Sequence, residues 1–249
     1  MAAKPEGKLA IVFDSPPWSR QRSIPRAHAL FTSPLHVRIR SNINFRQTLH
    51  VRHSQQPGFN QGQQRCGAAF ELRIDDFLLA TQDIYDFFFD VNTNLVAKGL
   101  ERLDDTLRPA IMSGVLSDML TASLAKHSRT LVVNSYFNGH PDLVVRGKYP
   151  LNAAKAGEFG VEVKTTRKSG GAVDTHGARN QWMCVFVYGV DTVTEPAIAR
   201  LPMRFTEIYL GEVQVEDFRK NARGELGTRT ATLHAKGIAK LRTNWIYRQ

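Results

Sequence analysis

Three residues in the second half of the chain combine carboxylates that can bind a metal with an ammonium that can stabilise negative charge. Asp142 follows Pro141 at the start of a short apolar run, and twenty residues later Glu162 and Lys164 lie in an alternating segment. Alternate side chains of an extended strand lie on the same face. Glu162 and Lys164 are therefore predicted to point the same way, while the two valines that flank Glu162 point to the core.

The segment between these positions contains residues that favour turns. It runs from 147 to 160 and includes Pro150 and Gly157, so the chain could return as a hairpin. Such a hairpin would set Asp142 beside Glu162. Two carboxylates that converge on one spot favour a divalent cation, and their hard oxygen ligands suit Mg²⁺.

These groups are the ones that phosphodiester hydrolysis needs. A bound metal polarises a phosphoryl oxygen and lowers the pKa of a bound water. Lys164 could orient or help deprotonate that water and offset the charge that builds on the phosphate. An ExK triplet alone is weak evidence, because Glu6-Gly7-Lys8 is a second one. The combination with the single Pro-Asp pair of the chain is what favours nuclease chemistry.

The series Pro141-Asp142 … Glu162-Val163-Lys164 resembles the PD-(D/E)xK nuclease superfamily, which includes most type II restriction endonucleases. The resemblance covers about residues 110–215. It implies a restriction-endonuclease-like αβββαβ core with a central mixed sheet. It also implies that Asp142 and Glu162 bind the metal, that Val163 adds a contact through its backbone carbonyl, and that Lys164 is catalytic.

Two further features of the family can be compared with this chain. Members often add an acidic residue from the helix before the first strand; Asp118 is the candidate, and an exposed helical aspartate is the alternative. The RecB-like exonuclease branch has a Gln-x-x-x-Tyr pattern after the lysine strand. Here Gln181 is followed four residues later by Val185, which counts against that branch.

The segment after Lys164 is predicted to be a loop that contacts DNA. Arg, Asn and Gln side chains can read the edges of G and A bidentately in the major groove. The alternative is a solvated basic turn at Gly170-Gly171. His140 and His176 could assist proton transfer, with a surface or structural role as the alternative. The candidate DNA-binding residues are Arg167, Lys168, His176, Arg179, Asn180 and Gln181.

The periodicity of the sequence predicts helices first and a sheet afterwards. Apolar residues recur at helical spacing between Phe70 and Lys126, and Pro109 is predicted to open the third helix of this segment. After Arg129, short apolar and alternating runs predict strands, and residues 181–190 fit either a helix or a strand. This order indicates an α/β or α+β fold with a central mixed sheet flanked by helices.

The charge of the chain indicates a polyanionic partner and suggests two parts. The net charge is +10: residues 1–65 carry +8, residues 66–140 carry −4, and residues 141–249 carry +6. A basic surface attracts phosphate backbones. We interpret residues 1–65 as a basic N-terminal arm or small DNA-contacting subdomain, with a flexible arm that makes no such contact as the alternative. Residues 66–249 are the expected nuclease domain.

Several other classes of protein are disfavoured. No apolar run approaches the ~20 residues of a membrane span, the apolar stretch 9–13 is too short for a signal peptide, and we expect a cytoplasmic protein. No GxGxxG, P-loop, GxSxG or HExxH motif is present, which argues against nucleotide cofactors and small-molecule enzymes. Cys66 and Cys184 lack zinc-site spacing, and His176 has no second histidine nearby to form an HNH motif.

The sequence therefore predicts a Mg²⁺-dependent endonuclease that cuts double-stranded DNA at a specific site, with Mn²⁺ able to substitute. A homodimer is expected, because symmetric oligomers match palindromic sites and the chain has one catalytic centre. A junction-resolving nuclease and a non-catalytic basic DNA-binding protein are the alternatives. Carboxylates of Asp142 and Glu162 more than ~8 Å apart could not share one metal and would favour the non-catalytic alternative.

Overall fold

The structure is a computed structural model that describes residues 69–168, 173–220 and 230–249. The predicted basic arm, residues 1–65, and Cys66 lie outside the described residues. Within them the chain is mixed α/β, with helices first and strands afterwards, as predicted. None of the helices in these ranges has both the length and the apolar character needed to cross a bilayer.

Two long helices pack together on one face of the sheet. Helix α1 is Ile74–Ala97, α2 is the single turn Leu103–Thr106, and α3 is Pro109–His127. Proline suits the first turn of α3 because that turn leaves backbone N–H groups without helical partners. Four apolar side chains spaced four residues apart form one face of α3, and each is at most 1% exposed: Met112, Leu116, Leu120 and Leu124. Burial of each contributes about 1.5–3 kcal/mol, so this face fixes α3 on the core.

Within the described residues nine strands follow these helices, and a fourth helix lies between the last two strands. Residues 181–190, which the sequence left open between helix and strand, form the strand β5 as far as Gly189. Helix α4, Ala235–Arg242, and the last strand lie in the C-terminal stretch of the chain. The strands are β1 Leu131–Val133, β2 Leu143–Val145, β3 Gly160–Thr166, β4 Asp174–Thr175, β5 Gln181–Gly189, β6 Arg204–Val213, β7 Phe218–Lys220, β8 Ala231–Leu233 and β9 Trp245–Arg248.

Six of the strands form one mixed sheet in the order β1-β2-β3-β5-β6-β9. Strands β3 and β5 are parallel, and every other neighbouring pair in this sheet is antiparallel. The three remaining strands form a small antiparallel sheet in the order β4-β8-β7. The resemblance implies an αβββαβ order, and the described elements to compare with it are α3, the antiparallel strands β1, β2 and β3, and the strand β5 parallel to β3.

The connection from β3 to β5 departs from that order. Its described residues, 167–168 and 173–180, contain the two-residue strand β4 and no helix. A parallel pair requires a crossover, and the described part of this one that contains β4 lies on the face of the sheet that the small sheet covers. The second helix of the implied core is therefore not found in the described part of this connection.

Strand β5 separates two hydrophobic cores because it is buried on both faces. Cys184, Phe186 and Tyr188 belong to the core beneath α1 and α3. Met183, Val185 and Val187 belong to a second core, formed with the small sheet and α4. Neighbouring residues of a strand point to opposite faces, so the near-continuous apolar sequence of β5 is that of a strand covered on both sides.

Candidate active site

The hairpin between β2 and β3 brings Asp142 and Glu162 together. Leu143 pairs with Val161 and Val144 with Gly160 in an antiparallel ladder. This register extends the pairing toward Asp142 and Glu162 at the end of β2. The strands approach closely here: a Cβ on Gly160 would lie 2.0 Å from the carbonyl oxygen of Leu143, so only glycine fits.

Glu162 and Lys164 lie on one face of β3, opposite to Val161 and Val163. The two valines are fully buried in the core beneath α3. The Nζ atom of Lys164 is 2.7 Å from Oε1 of Glu162 and 3.6 Å from Oδ2 of Asp142. Since both contacts share Nζ, the two carboxylate oxygens are at most about 6.3 Å apart. This is below the ~8 Å beyond which the two could not share a metal.

Burial and opposite charges shift the ionisation of this trio in different directions. Burial would raise the pKa of Glu162, but its contacts with His140 and Lys164 outweigh burial and lower this pKa to about 2. Burial would likewise lower the pKa of Lys164, yet the two carboxylates outweigh it and raise this pKa. At neutral pH the site therefore contains a carboxylate of Glu162 and an ammonium of Lys164.

Asp142 is the carboxylate whose charge is least compensated. Burial, together with the negative charge of Glu162, raises its pKa, against the opposing effects of Lys164 and the amide of Val163. Its side chain is 30% exposed, whereas that of Glu162 is 2% exposed. A further positive charge near Asp142 would favour its ionised form.

His140 is a member of the site that the sequence indicated only as a possible helper. Its Nδ1 lies 3.4 Å from Oε2 of Glu162, and because Glu162 is ionised, Nδ1 is the donor. The His140 amide donates to the carbonyl of Lys155, and the amide of Gly157 donates to the carbonyl of His140. His140 directly precedes the Pro-Asp pair, and that position is the only sequence signal for it.

Within the described part of the loop after Lys164, His176 lies beside the site. The rings of His176 and His140 have centroids 6.1 Å apart, and His176 is exposed. Arg179 is half-buried and donates to the carbonyl of His176, while Asn180 accepts from the amide of Val215. At the other end of the loop, Arg167 is half-buried and Lys168 is exposed.

Gln181 differs from its predicted placement. It is the first residue of β5 rather than part of the loop, and its side chain is buried, with 9% of the residue exposed. It precedes the position of β5 that pairs with Val161, so it lies on the Glu162 face of the sheet. Its Nε2 is buried with no hydrogen-bond partner in the described part of the chain. The contact of the loop residues with DNA stays a prediction.

Asp118 does not reach the two carboxylates. It is exposed on α3, and α3 packs against the face of β3 that carries Val161 and Val163. The side chain of Glu162 points to the other face. The alternative interpretation of Asp118, an exposed helical aspartate, is therefore the one that agrees with the structure.

The residues present fit a weakly held hard cation better than a closed metal cage. Among the described residues, no cluster of three or more His, Cys, Asp or Glu side chains is arranged to hold a metal. The carboxylates of Asp142 and Glu162 are the donors that the structure brings together, and the carbonyl of Val163 is the further donor that the resemblance implies. Mg²⁺ is commonly held by one or two carboxylates together with water and substrate phosphate. The two carboxylates of this site agree with that mode of binding.

Comparison of the chain with models of protein families, with curated proteins and with solved structures finds no match in any of the three.

Proposed function

We propose that this chain is a Mg²⁺-dependent endonuclease of the PD-(D/E)xK type, with a restriction-endonuclease-like core, that cuts double-stranded DNA at a specific site. The observation that carries the proposal is the position of Lys164, whose ammonium contacts the carboxylates of both Asp142 and Glu162. Two carboxylates and a lysine on one sheet face are groups that metal-dependent phosphodiester hydrolysis can use.

Asp142, Glu162 and the backbone carbonyl of Val163 would hold the metal. When bound, Mg²⁺ supplies Lewis-acid activation of a phosphoryl oxygen and of a water molecule, and Mn²⁺ is expected to substitute. The raised pKa of Asp142 supports this assignment, because partial burial and the nearby charge of Glu162 leave its carboxylate incompletely neutralised by the single ammonium of Lys164. An added cation would remove that imbalance.

The side chains of the site divide the remaining work. The ammonium of Lys164 is positioned to stabilise the negative charge that develops on the phosphate and to orient the attacking water. Glu162 is ionised at neutral pH and accepts hydrogen bonds from its neighbours. His140 holds Oε2 of Glu162 and so fixes the rotamer of the carboxylate that contacts Lys164.

The proposed substrate is DNA because of the charge of the chain. A net charge of +10 favours a phosphate polyanion, and the basic N-terminal arm would add contacts to the backbone. A homodimer would present two such sites to the two strands of a palindromic sequence. A junction-resolving nuclease would use the same centre on a different DNA shape.

Digestion of DNA tests the proposal directly. Supercoiled plasmid and a mixed set of linear DNAs are incubated with the full chain in Mg²⁺, in parallel with the Lys164→Met variant. Lys98→Met removes an exposed lysine at the end of α1 and serves as the matched control.

Discrete fragments from wild type and Lys98→Met, but not from Lys164→Met, are the expected result. Smeared products would favour a nuclease without sequence specificity. DNA binding without cleavage under any divalent metal would favour the non-catalytic alternative and overturn the proposal.

A further inference from the structure

Two large apolar side chains project into solvent from loops beside the active site. Phe137, in the β1–β2 connection, is 86% exposed, and Leu151, in the β2–β3 connection, is 90% exposed. Tyr136, next to Phe137, is 43% exposed. Single exposed apolar residues are ordinary on protein surfaces. Here two apolar side chains that are almost fully exposed lie on two loops that contact each other, which indicates a surface for binding.

The two loops are joined by hydrogen bonds into one unit. The amide of Ser135 donates to the carbonyl of Asn152 over 3.0 Å. The side chain of Asn134 donates to the carbonyls of Pro141 and Ala154 over 2.9 and 2.7 Å, and it accepts from the amide of Ala154 over 2.9 Å. The apolar tips therefore project from a braced support.

The backbone at one tip has an unusual conformation. Leu151 has φ 54° and ψ 21°, and the next residue, Asn152, has φ 55°. The left-handed region is uncommon for residues other than glycine and asparagine, and leucine gains no compensating local hydrogen bond there. Strained backbone of this kind persists where the surroundings enforce it, often at binding sites. Here it holds the leucine side chain outward.

This unit is continuous with the candidate active site. The β1–β2 connection that carries Phe137 also carries His140 and leads directly into Asp142. The amide of Gly157, in the other loop, donates to the carbonyl of His140 over 2.7 Å. A substrate held at Asp142 and Glu162 would therefore pass beside the two apolar tips.

The loop that carries Leu151 is basic. The β2–β3 connection contains Arg146, Lys148 and Lys155 against one acidic residue, Glu158. Lys148 Nζ lies 4.0 Å from the centre of the Phe159 ring. Apolar tips beside positive charge match duplex DNA, where phosphates border the groove and the faces of the bases, which unstacking exposes, are apolar.

A second copy of this chain fits the same surface less well. A twofold contact places a patch against itself. Contact through this patch would bring the three basic residues of one copy against the same residues of the other.

We infer that Phe137 and Leu151 are a wedge that enters a DNA groove and unstacks a base step next to the cleavage site. The inference rests on the proposed function, because it takes DNA as the substrate. Apolar side chains inserted between base pairs are a common device for bending and opening a duplex. Insertion costs less where the stacking is already weakened, so the wedge predicts a preference for duplexes with a mismatch.

The test measures binding, so that it does not depend on cleavage. Duplexes of about 30 base pairs, matched or with one central mismatch, are titrated with the full chain in Ca²⁺. A 2-aminopurine beside the mismatch reports unstacking by its fluorescence. The variants are Phe137→Ala with Leu151→Ala, Phe137→Leu as the conservative change, and Val193→Ala as a control at another residue that is 85% exposed. Neither Phe137 nor Leu151 packs in a core, so the substitutions leave the fold intact, which thermal unfolding checks.

Wild type, Val193→Ala and Phe137→Leu are expected to bind the mismatched duplex about three- to tenfold more tightly than the matched one and to raise the fluorescence. The double alanine variant is expected to lose both effects. An unchanged preference in that variant, or no preference in wild type, would overturn the inference. Loss of a dimer in sedimentation without a change in DNA binding would assign the surface to a second copy and also overturn it. Absence of cleavage in Mg²⁺ alongside a wedge-dependent preference would contradict the nuclease proposal alone.

Discussion

The carboxylate of Asp142 accepts a 2.8 Å hydrogen bond from the backbone amide of Val163, at the point where the β2–β3 ladder ends. Strand β2 begins at Leu143, which pairs with Val161 of β3. The amide of Val163 lies past this end of the ladder and hydrogen-bonds to a side chain instead. Asp142 fills that role through Oδ2 and is thereby held next to Glu162. The same carboxylate that accepts the hydrogen bond of the Val163 amide is thus one of the two proposed metal ligands.

Removal of any one of the three site residues should stop cleavage but leave DNA binding largely intact. Asp142→Ala and Glu162→Ala each remove a proposed metal ligand, and Lys164→Ala removes the charge that faces the phosphate. Each is expected to lower kcat by at least about 100-fold. Cleavage rates and binding isotherms are measured on one duplex. Glu158→Ala, at an exposed position of the same hairpin, is the control. Near-wild-type cleavage by any two of the three variants would contradict the assignment.

Divalent metals should stabilise the folded chain as well as support cleavage. Mg²⁺ and Mn²⁺ that bind at the two carboxylates raise the Tm by mass action. Asp142→Asn removes one negative ligand and should abolish this increase, whereas Asp118→Asn, at the exposed position on α3, should retain it. Ca²⁺ is expected to support DNA binding but not cutting. Thermal unfolding with and without metal measures the first effect. Full cleavage in excess chelator would rule out the metal requirement.

Residues that read bases and residues that contact phosphates should respond differently to mutation. Arg179→Ala is expected to cost about 1–3 kcal/mol on the preferred site only. Arg38→Ala, in the arm outside the described residues, should weaken binding to all sequences and reduce the salt dependence by about one unit of slope.

Binding to cognate and scrambled duplexes at several salt concentrations separates the two effects. Equal losses on both duplexes for Arg179→Ala would mean that this loop contacts the backbone and that specificity lies elsewhere.

A carboxylate away from the site should control stability in acid. Asp83 of α1 accepts hydrogen bonds from Ser123, Lys126 and His127 of α3. Burial would raise the pKa of Asp83, but these three partners outweigh it and lower the pKa from 3.8 to about 2. A carboxylate with a lowered folded-state pKa stabilises the fold above its unfolded pKa and loses that contribution as the pH falls. The loss is expected between pH 3.8 and about 2.

The Asp83→Asn variant tests this link between the two helices. Its free energy of unfolding should be lower than that of wild type at neutral pH, and it should fall less steeply between pH 4 and pH 2. Denaturant unfolding at a series of pH values provides the measurement. Asp90→Asn, an exposed carboxylate of the same helix, is the control. If the free energy of unfolding of Asp83→Asn fell with pH as steeply as that of wild type, Asp83 would not link the helices in this way.

Local patterns in the sequence were sufficient to predict several elements. The start of α3 at Pro109 and its buried face followed from a proline preference and a four-residue spacing, both of which act within a few turns of helix. The shared face of Glu162 and Lys164 followed from the geometry of an extended strand. The placement of Asp142 beside Glu162 needed only a hairpin, which the turn-forming residues between them supplied.

Other features depend on contacts between residues distant in sequence, and only the tertiary structure decided them. His140 joined the site because the β2–β3 connection folds back and binds its backbone on both sides. Gln181 became buried because β5 is covered on both faces, by the long helices on one and by the small sheet with α4 on the other. Phe137 and Leu151 are apolar and would be expected inside, yet the loops that brace each other hold them in solvent. A pattern of residue types shows which side chains can be buried, and it is the long-range pairing of strands and loops that decides which of them are.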